Sequence, residues 1–379
     1  MTDGVDGSGD RQVAVVLGTR PEIIKLAPVI NECENRGVDC LLIHTGQHYS
    51  DDLDRVFFDQ LALPEPDYNL EVGSLSHGEQ TGQMLAGIER ILEDESPDAV
   101  VVQGDTNSTL AGALAATKLH IDVGHVEAGL RSFDREMPEE VNRLAADHIS
   151  DYLFAPTEET RRYLERESVG GEVFVTGNTV VDTLYEYRDT VREKSTVLED
   201  HGLSAGDFYL LTAHRAENVD DEESFERLLT GVARFAERTD RPVIYPIHPR
   251  ASARVEEFGL EIPEPIRTIE PLEFLDFLCL ESEAALTFTD SGGVQEETCI
   301  LGTPCVTLRY STERPETVHA GANCLAGLDP DDIVEAAETM IEKDGDWTVP
   351  FGDGNASKRI LDVLVAADGA DAEKMEALT

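Results

Sequence analysis

The sequence has no long apolar run. Its longest runs are short, such as those at residues 13–17 and 99–102, and fall far short of the ~20 apolar residues that a membrane span needs. No membrane partner is therefore expected. Cysteines are few and scattered: Cys33, Cys40, Cys279, Cys299, Cys305 and Cys324 form no CxxC pair. That argues against a zinc ribbon or a disulfide framework and for reduced thiols in a cytoplasmic protein. Residues 1–10 are rich in Gly and Asp and have no apolar centre, so they read as a disordered leader rather than a signal peptide. The fingerprints GxGxxG, GxxxxGK[ST] and HExxH are absent, as is any EF-hand or zinc spacing, and no GxSxG elbow joins a predicted strand to a helix. No metal and no cofactor is expected, and a tightly held nicotinamide is not encoded by its usual signal.

Positive charge is the scarcest commodity. Asp and Glu number 77 against 30 Lys and Arg, for a net charge of −47, and only six of the basic residues are Lys. Such a polyanion repels nucleic acid and anionic membranes. The acidity runs through helices and loops rather than forming a tail. Molar salt cuts the screening length to about 3 Å and makes this self-repulsion tolerable. A high-salt cytoplasm is the expectation; the plain alternative is an acidic mesophilic enzyme.

What is present is a globular α/β pattern. Hydrophobic residues make up 41% of 379, enough to fill cores, and the length suggests two domains. Short apolar runs predict strands over 12–17, 38–44, 99–103, 123–127, 152–155 and 173–176. Amphipathic stretches predict helices between them, at 21–35, 51–60, 77–92, 108–119, 138–150 and 158–167. After a helical, charged segment over 179–203 the alternation restarts. Further strands are predicted at 208–212, 243–247, 266–269, 284–289 and 305–308, with a closing helix over 356–366. Strand–helix alternation of this kind gives right-handed crossovers and parallel sheets. Two doubly wound domains follow, 11–178 and 179–355, and ligands are expected beyond the carboxyl ends of their strands.

The residues at those ends carry charge. Gly18-Thr19-Arg20-Pro21-Glu22, then Lys25, opens the first helix, where an anion is favoured; Arg20 read plainly is a solvated cation. Asp105 follows the strand at 99–103 and would ordinarily cap the next helix. Glu127 ends a buried strand and has no such role. Arg143 lies close to a helix N-terminus, where a cation is disfavoured, so it needs a carboxylate or an anionic ligand. In the second half, His214-Arg215 and His248-Pro249-Arg250 end adjacent strands, suggesting an anionic or sugar-bearing ligand, or simply two satisfied loop histidines. Asp290-Ser291-Gly292-Gly293 has the form of a phosphate cradle at a helix start.

Nine motifs in order, GTRPEIIK (18–25), TGQH (45–48), QGDTNST (103–109), GHVEAGLRS (124–132), MPEEVNR (137–143), TGNTVVD (176–182), HRAEN (214–218), SGGVQEE (291–297) and TERPET (312–317), resemble the non-hydrolysing UDP-N-acetylglucosamine 2-epimerases over roughly residues 12–365. The resemblance implies an α/β fold of the B-type glycosyltransferase kind, two Rossmann-like domains about a central cleft. It places the C-terminal helix, about 356–379, with the first domain. It implies interconversion of UDP-GlcNAc and UDP-ManNAc by elimination of UDP to 2-acetamidoglucal and re-addition. Such chemistry needs acid–base groups near C2 and a cationic cradle for UDP. Matched residue by residue, the family's catalytic groups fall on Asp105, Glu127, Glu139 and His214. UDP-side contacts fall on Arg20, Lys25, Arg143, His248, Ser291, Gly292, Gly293, Glu297 and Arg314. Asp105 and Glu127 are assigned to the C2 proton, Glu139 assists, His214 serves the departing phosphate, and Glu297 accepts from the ribose. Three clustered carboxylates would push at least one pKa upward. The expected partners are a UDP-sugar and a second copy of the chain.

There are departures. Bacterial members often carry a Gln soon after TGQH that is associated with activation by a second UDP-GlcNAc; here residues 48–51 read His-Tyr-Ser-Asp. A sister group acting on UDP-2,3-diacetamido-glucuronate tends to carry GARPQ where this chain has GTRPE, which favours the simpler substrate. A hydrolysing epimerase, a B-type glycosyltransferase and a UDP-sugar binder without turnover are the other readings.

Overall fold

The computed structural model describes residues 11–47 and 57–366. The expected leader, the departure at 48–51 and the tail beyond 366 lie outside them. The chain divides into two compact units, one running to Glu186 and resuming at Phe351, the other Tyr187–Pro350.

The first unit is built on seven parallel strands: β1 (Gln12–Leu17), β2 (Asp39–His44), β3 (Tyr68–Asn69), β4 (Ala99–Gln103), β5 (Asp122–Val126), β6 (Tyr152–Ala155) and β7 (Glu172–Val175). They lie in the order β3-β2-β1-β4-β5-β6-β7. β1 and β4 are almost wholly apolar because helices cover both faces of the sheet. The order reverses between β1 and β4, which is the switch point at which doubly wound sheets bind ligands. Close approach is enforced there: a Cβ on Gly18 would come within 1.9 Å of Thr45 Oγ1 and 2.5 Å of Ser108 Oγ. Only glycine lets the ends of β1 and β2 meet the helix Asn107–Lys118.

The second unit repeats the plan with β8 (Tyr209–Thr212), β9 (Val243–Pro246), β10 (Ile266–Ile269), β11 (Leu286–Thr289), β12 (Cys305–Thr307) and β13 (Asn323–Leu325). Their order is β10-β9-β8-β11-β12-β13, again with a switch, between β8 and β11. The helix Glu222–Thr239 shows how its core forms. Phe225, Leu228, Leu229, Val232, Phe235 and Ala236 recur at helical spacing and are all buried. Phe235 packs against Tyr209 and Phe288 with ring centroids 5.1 and 6.0 Å apart, and truncating it to Ala would cost about 3–5 kcal/mol.

The α/β class and the parallel, doubly wound sheets are as expected. The division falls later than the predicted 178, because the first turns of the helix Thr179–Lys194 bond to the first unit. Thr183 Oγ1 donates to the Ile24 carbonyl at 2.8 Å. The Asp182 carboxylate accepts from the backbone N–H groups of Ala356 and Ser357 at 3.1 and 2.8 Å, and from the Ser357 hydroxyl at 2.7 Å. It thereby caps the helix Ala356–Ala366, whose Asp362 also meets Arg36 at 2.6 Å. β3 and β13 were not predicted: two- and three-residue edge strands carry too little pattern. β5 ends at Val126, one residue short of the predicted strand, and Glu127 turns away with φ 68°. No helix among the described residues is long and apolar enough to cross a membrane.

Candidate active site

In the first unit the predicted residues gather at the switch point. Glu127 is a non-glycine residue in the left-handed region, a conformation costing on the order of 1 kcal/mol or more that persists only where the surroundings impose it. Its carboxylate is nearly buried and fully engaged. Lys25 Nζ reaches both oxygens at 2.6 and 2.7 Å, Asn178 Nδ2 donates to Oε1 at 3.2 Å, and Gln103 Nε2 donates to Oε2. A Cβ on Gly104 would lie 3.9 Å from Glu127 Oε2, so this carboxylate rests against the backbone that presents Asp105.

Asp105 does not cap its helix. Thr106 does, in a reciprocal box with Thr109, which frees Asp105 to pair with Arg143 at 2.5 Å. Arg143 also meets Glu140 at 2.9 Å, so carboxylates satisfy the cation that the sequence left open. Asn142 Nδ2 holds the Asp105 carbonyl at 2.9 Å. Glu140 further accepts from the N–H groups of Ser132 and Phe133, both at 3.0 Å. Burial would raise the Glu140 carboxyl, but these donors and Arg143 outweigh it and hold it below the usual range. Glu139 and Arg20 are exposed, and with Thr19, Gln47, His77 and Asp105 they help line a cavity of about 700 Å³. The guanidinium of Arg20 sits 5.2 Å from the centre of the Phe57 ring.

The expected mutual push among three carboxylates is therefore not the arrangement found, since Asp105 and Glu127 each face a cation. The raised carboxyl here is one the sequence reading passed over. Glu22, 1% exposed, accepts from Gly18 N–H (2.9 Å) and from the hydroxyls of Thr19 (2.9 Å), Thr106 (2.6 Å) and Thr109 (3.2 Å). Burial still prevails over these donors and pushes it up to about 7. It ties the loop after β1 to the loop after β4. Positions 19 and 22, where GARPQ would differ from GTRPE, are bonded to each other. Its signal was a Glu in the first helical turn, which usually means only a dipole partner.

In the second unit His214 and His248 end adjacent strands with ring centroids 5.6 Å apart. His214 Nδ1 is 3.2 Å from Oδ1 of Asp290, which is fully buried. Asp290 Oδ2 accepts from the N–H groups of His214 and Arg215, both at 2.9 Å, and from Asn218 at 3.1 Å. Burial would raise this carboxyl; His214 and the backbone donors overcome it and keep it below the usual range. His248 caps its helix through Nδ1, and burial, then the charges of His214 and Arg250, draws its pKa down. Ser291, Gly292 and Gly293 open the helix Gly292–Leu301, and a Cβ on either glycine would meet nothing closer than 3.9 Å, so their N–H groups are approachable. Arg314 Nε pairs with Glu296 at 2.8 Å. Glu297 is half-buried beside Glu281, whose carboxyl is raised by burial and by that neighbouring charge. Asp290 was visible as a strand-end residue, but its role as the acceptor for His214 was not.

Strand-end acids and bases at both switch points, on sheets of this order, define an α/β enzyme of the B-type glycosyltransferase fold. A family model described as UDP-N-acetylglucosamine 2-epimerase matches residues 31–365. The chain belongs to that family, whose reaction makes it an isomerase. It is 51% identical to the UDP-N-acetylglucosamine 2-epimerase of Methanocaldococcus jannaschii over 93% of this chain and 98% of that protein. A crystal structure of the Methanocaldococcus jannaschii UDP-GlcNAc 2-epimerase with UDP-GlcNAc and UDP matches with a TM-score of 0.81 and 50% identity, covering 93% and 99% of the two chains. It is also 39% identical to a UDP-2,3-diacetamido-2,3-dideoxy-D-glucuronate 2-epimerase of Pseudomonas aeruginosa, over 93% of this chain and 99% of that protein.

Proposed function

We propose that this chain interconverts UDP-GlcNAc and UDP-ManNAc, with Asp105 and Glu127 acting at C2. The observation that carries the reading is the pair of carboxylates at the ends of the neighbouring strands β4 and β5, each against its own cation. Sugar C2 has no adjacent carbonyl, so direct loss of its proton would be prohibitively slow. In elimination, a carboxylate takes the C2 proton, the C1–O bond breaks, UDP leaves with the bonding electrons, and C1=C2 forms. Re-addition of UDP with the proton on the opposite face completes the inversion. Lys25 and Arg143 pair with Glu127 and Asp105 and orient them until substrate competes for them. Glu139, at the cavity wall, assists the same proton transfers.

His214 serves the departing phosphate, its Nδ1 held by Asp290 so that Nε2 is the working nitrogen. The approachable N–H groups of Ser291-Gly292-Gly293, with Arg20, His248 and Arg314, hold the diphosphate, and Glu297 accepts from the ribose. The enzyme works in a salt-rich cytoplasm, a reading supported by its charge and scattered thiols, and as a homodimer.

Incubation with UDP-GlcNAc in molar KCl and heavy water tests the reading. UDP-ManNAc carrying deuterium at C2 is expected, with traces of UDP and 2-acetamidoglucal. Free ManNAc as the product would indicate hydrolysis, and a retained C2 hydrogen would exclude elimination. The Pseudomonas aeruginosa relative makes UDP-2,3-diacetamido-glucuronate the second substrate to offer.

A further inference from the structure

The ring of His125, on β5, is 1% exposed and faces two acceptors. Nδ1 lies 2.7 Å from Asp147 Oδ1, and Nε2 lies 2.8 Å from the Gly104 carbonyl. A neutral imidazole has one N–H and one lone pair, so one of these contacts would set lone pair against lone pair. Arg131 and the Gly129 N–H hold Asp147 as a carboxylate, so both contacts are satisfied together only by an imidazolium. We infer that His125 is a permanently charged positioning residue, which fixes the Gly104 carbonyl and with it the loop presenting Asp105, while placing a buried positive charge beside Glu127. The inference rests on the role proposed above for those two carboxylates.

The surroundings fit. Asp147 is itself fully buried and also faces Arg131 at 2.7 Å and the Gly129 N–H at 3.3 Å. Arg131 continues to Glu167 at 2.6 Å, so the network closes with two cations and two carboxylates. Glu127, two residues along, also acts on the ring, and Lys25 holds it from the other side. Burial would strip the ring of its proton; Asp147, the Gly104 carbonyl and Glu127 together outweigh it and hold the pKa above the ordinary range. Gly104 is fixed from both sides, since its N–H also donates to the Val126 carbonyl at 3.0 Å, and its φ of 75° is one that a side chain would resist. The strand ends bearing Asp105 and Glu127 are thus joined through one ring.

The test is nitrogen NMR of the full chain with ring-labelled histidine, the His125 signals being assigned by their loss in His125→Gln. Both nitrogens should remain protonated at pH 7.5; a neutral tautomer there would overturn the inference without touching the epimerase reading. Asp147→Asn should convert the ring to a neutral tautomer. In both variants kcat should fall by about tenfold or more with KM within about twofold, since orientation rather than binding is lost. In His125→Gln the acid limb of the kcat–pH profile should also move up by about one pH unit, because the carboxylates lose an opposite charge while Asp147 keeps its own. A folded His125→Gln that is slower but keeps the wild-type pH profile would reduce His125 to packing. Absence of epimerisation by the wild type would instead refute the proposed function, leaving the ring measurement standing.

Discussion

Replacing Glu22 with Gln should remove a pH-dependent weakness from the fold. The carboxyl is buried and pushed up to about 7 from an ordinary 4.5. Between those values the folded chain keeps a proton that the unfolded chain releases, so stability from this group falls as pH rises from about 4.5 through 7. A tenfold change in acidity between the folded and unfolded chain corresponds to about 1.4 kcal/mol, so between pH 5 and pH 8 Glu22 alone withdraws roughly 2–3 kcal/mol. Gln has the same shape and does not titrate. Its amide oxygen can accept from Gly18 N–H and the Thr19 hydroxyl, while its NH₂ donates to the hydroxyls of Thr106 and Thr109, which accept equally well. The assay is urea unfolding of wild type and E22Q in molar KCl at pH 5, 6, 7 and 8. Every other carboxyl cancels in the difference, which should move in favour of E22Q by about 2–3 kcal/mol across the range. A difference independent of pH would refute the argument. A shift favouring the wild type at high pH would mean that the four donors outweigh burial and keep Glu22 ionised.

Three further outcomes are expected. Unfolding midpoints should rise steeply with KCl, given the net charge of −47, and full stability at low salt would remove the case for a high-salt cytoplasm. Asp105→Asn and Glu127→Gln should each lower kcat by about 10²–10⁴ while still binding UDP in calorimetry; turnover at the wild-type rate would place the proton chemistry elsewhere. Arg314→Ala should weaken UDP binding by roughly 1.5–3 kcal/mol, and an unchanged affinity would remove Arg314 from the UDP site.

The architecture was legible because it rests on local periodicity. Runs such as Ala-Val-Val-Val-Gln at 99–103, buried on both faces, and amphipathic stretches such as 138–150 each announce their own element. The strand ends followed, since each doubly wound sheet brings its own to one edge: Asp105 and Glu127 stand at that of the first sheet, His214 and Ser291 at that of the second. Which partner each would meet was not local. Lys25 finds Glu127 across 102 residues, Arg143 finds Asp105 across 38, and His214 finds Asp290 across 76. The same holds for the pKa of Glu22, set by how closely Gly18 lets the ends of β1 and β2 approach the helix after β4, and for the charge of His125, set by Asp147 and Gly104 from two other elements. Periodicity and strand-end chemistry act within a few residues and can be read along the chain. Burial and ion pairing depend on distances through space, and only the folded sheet supplies them.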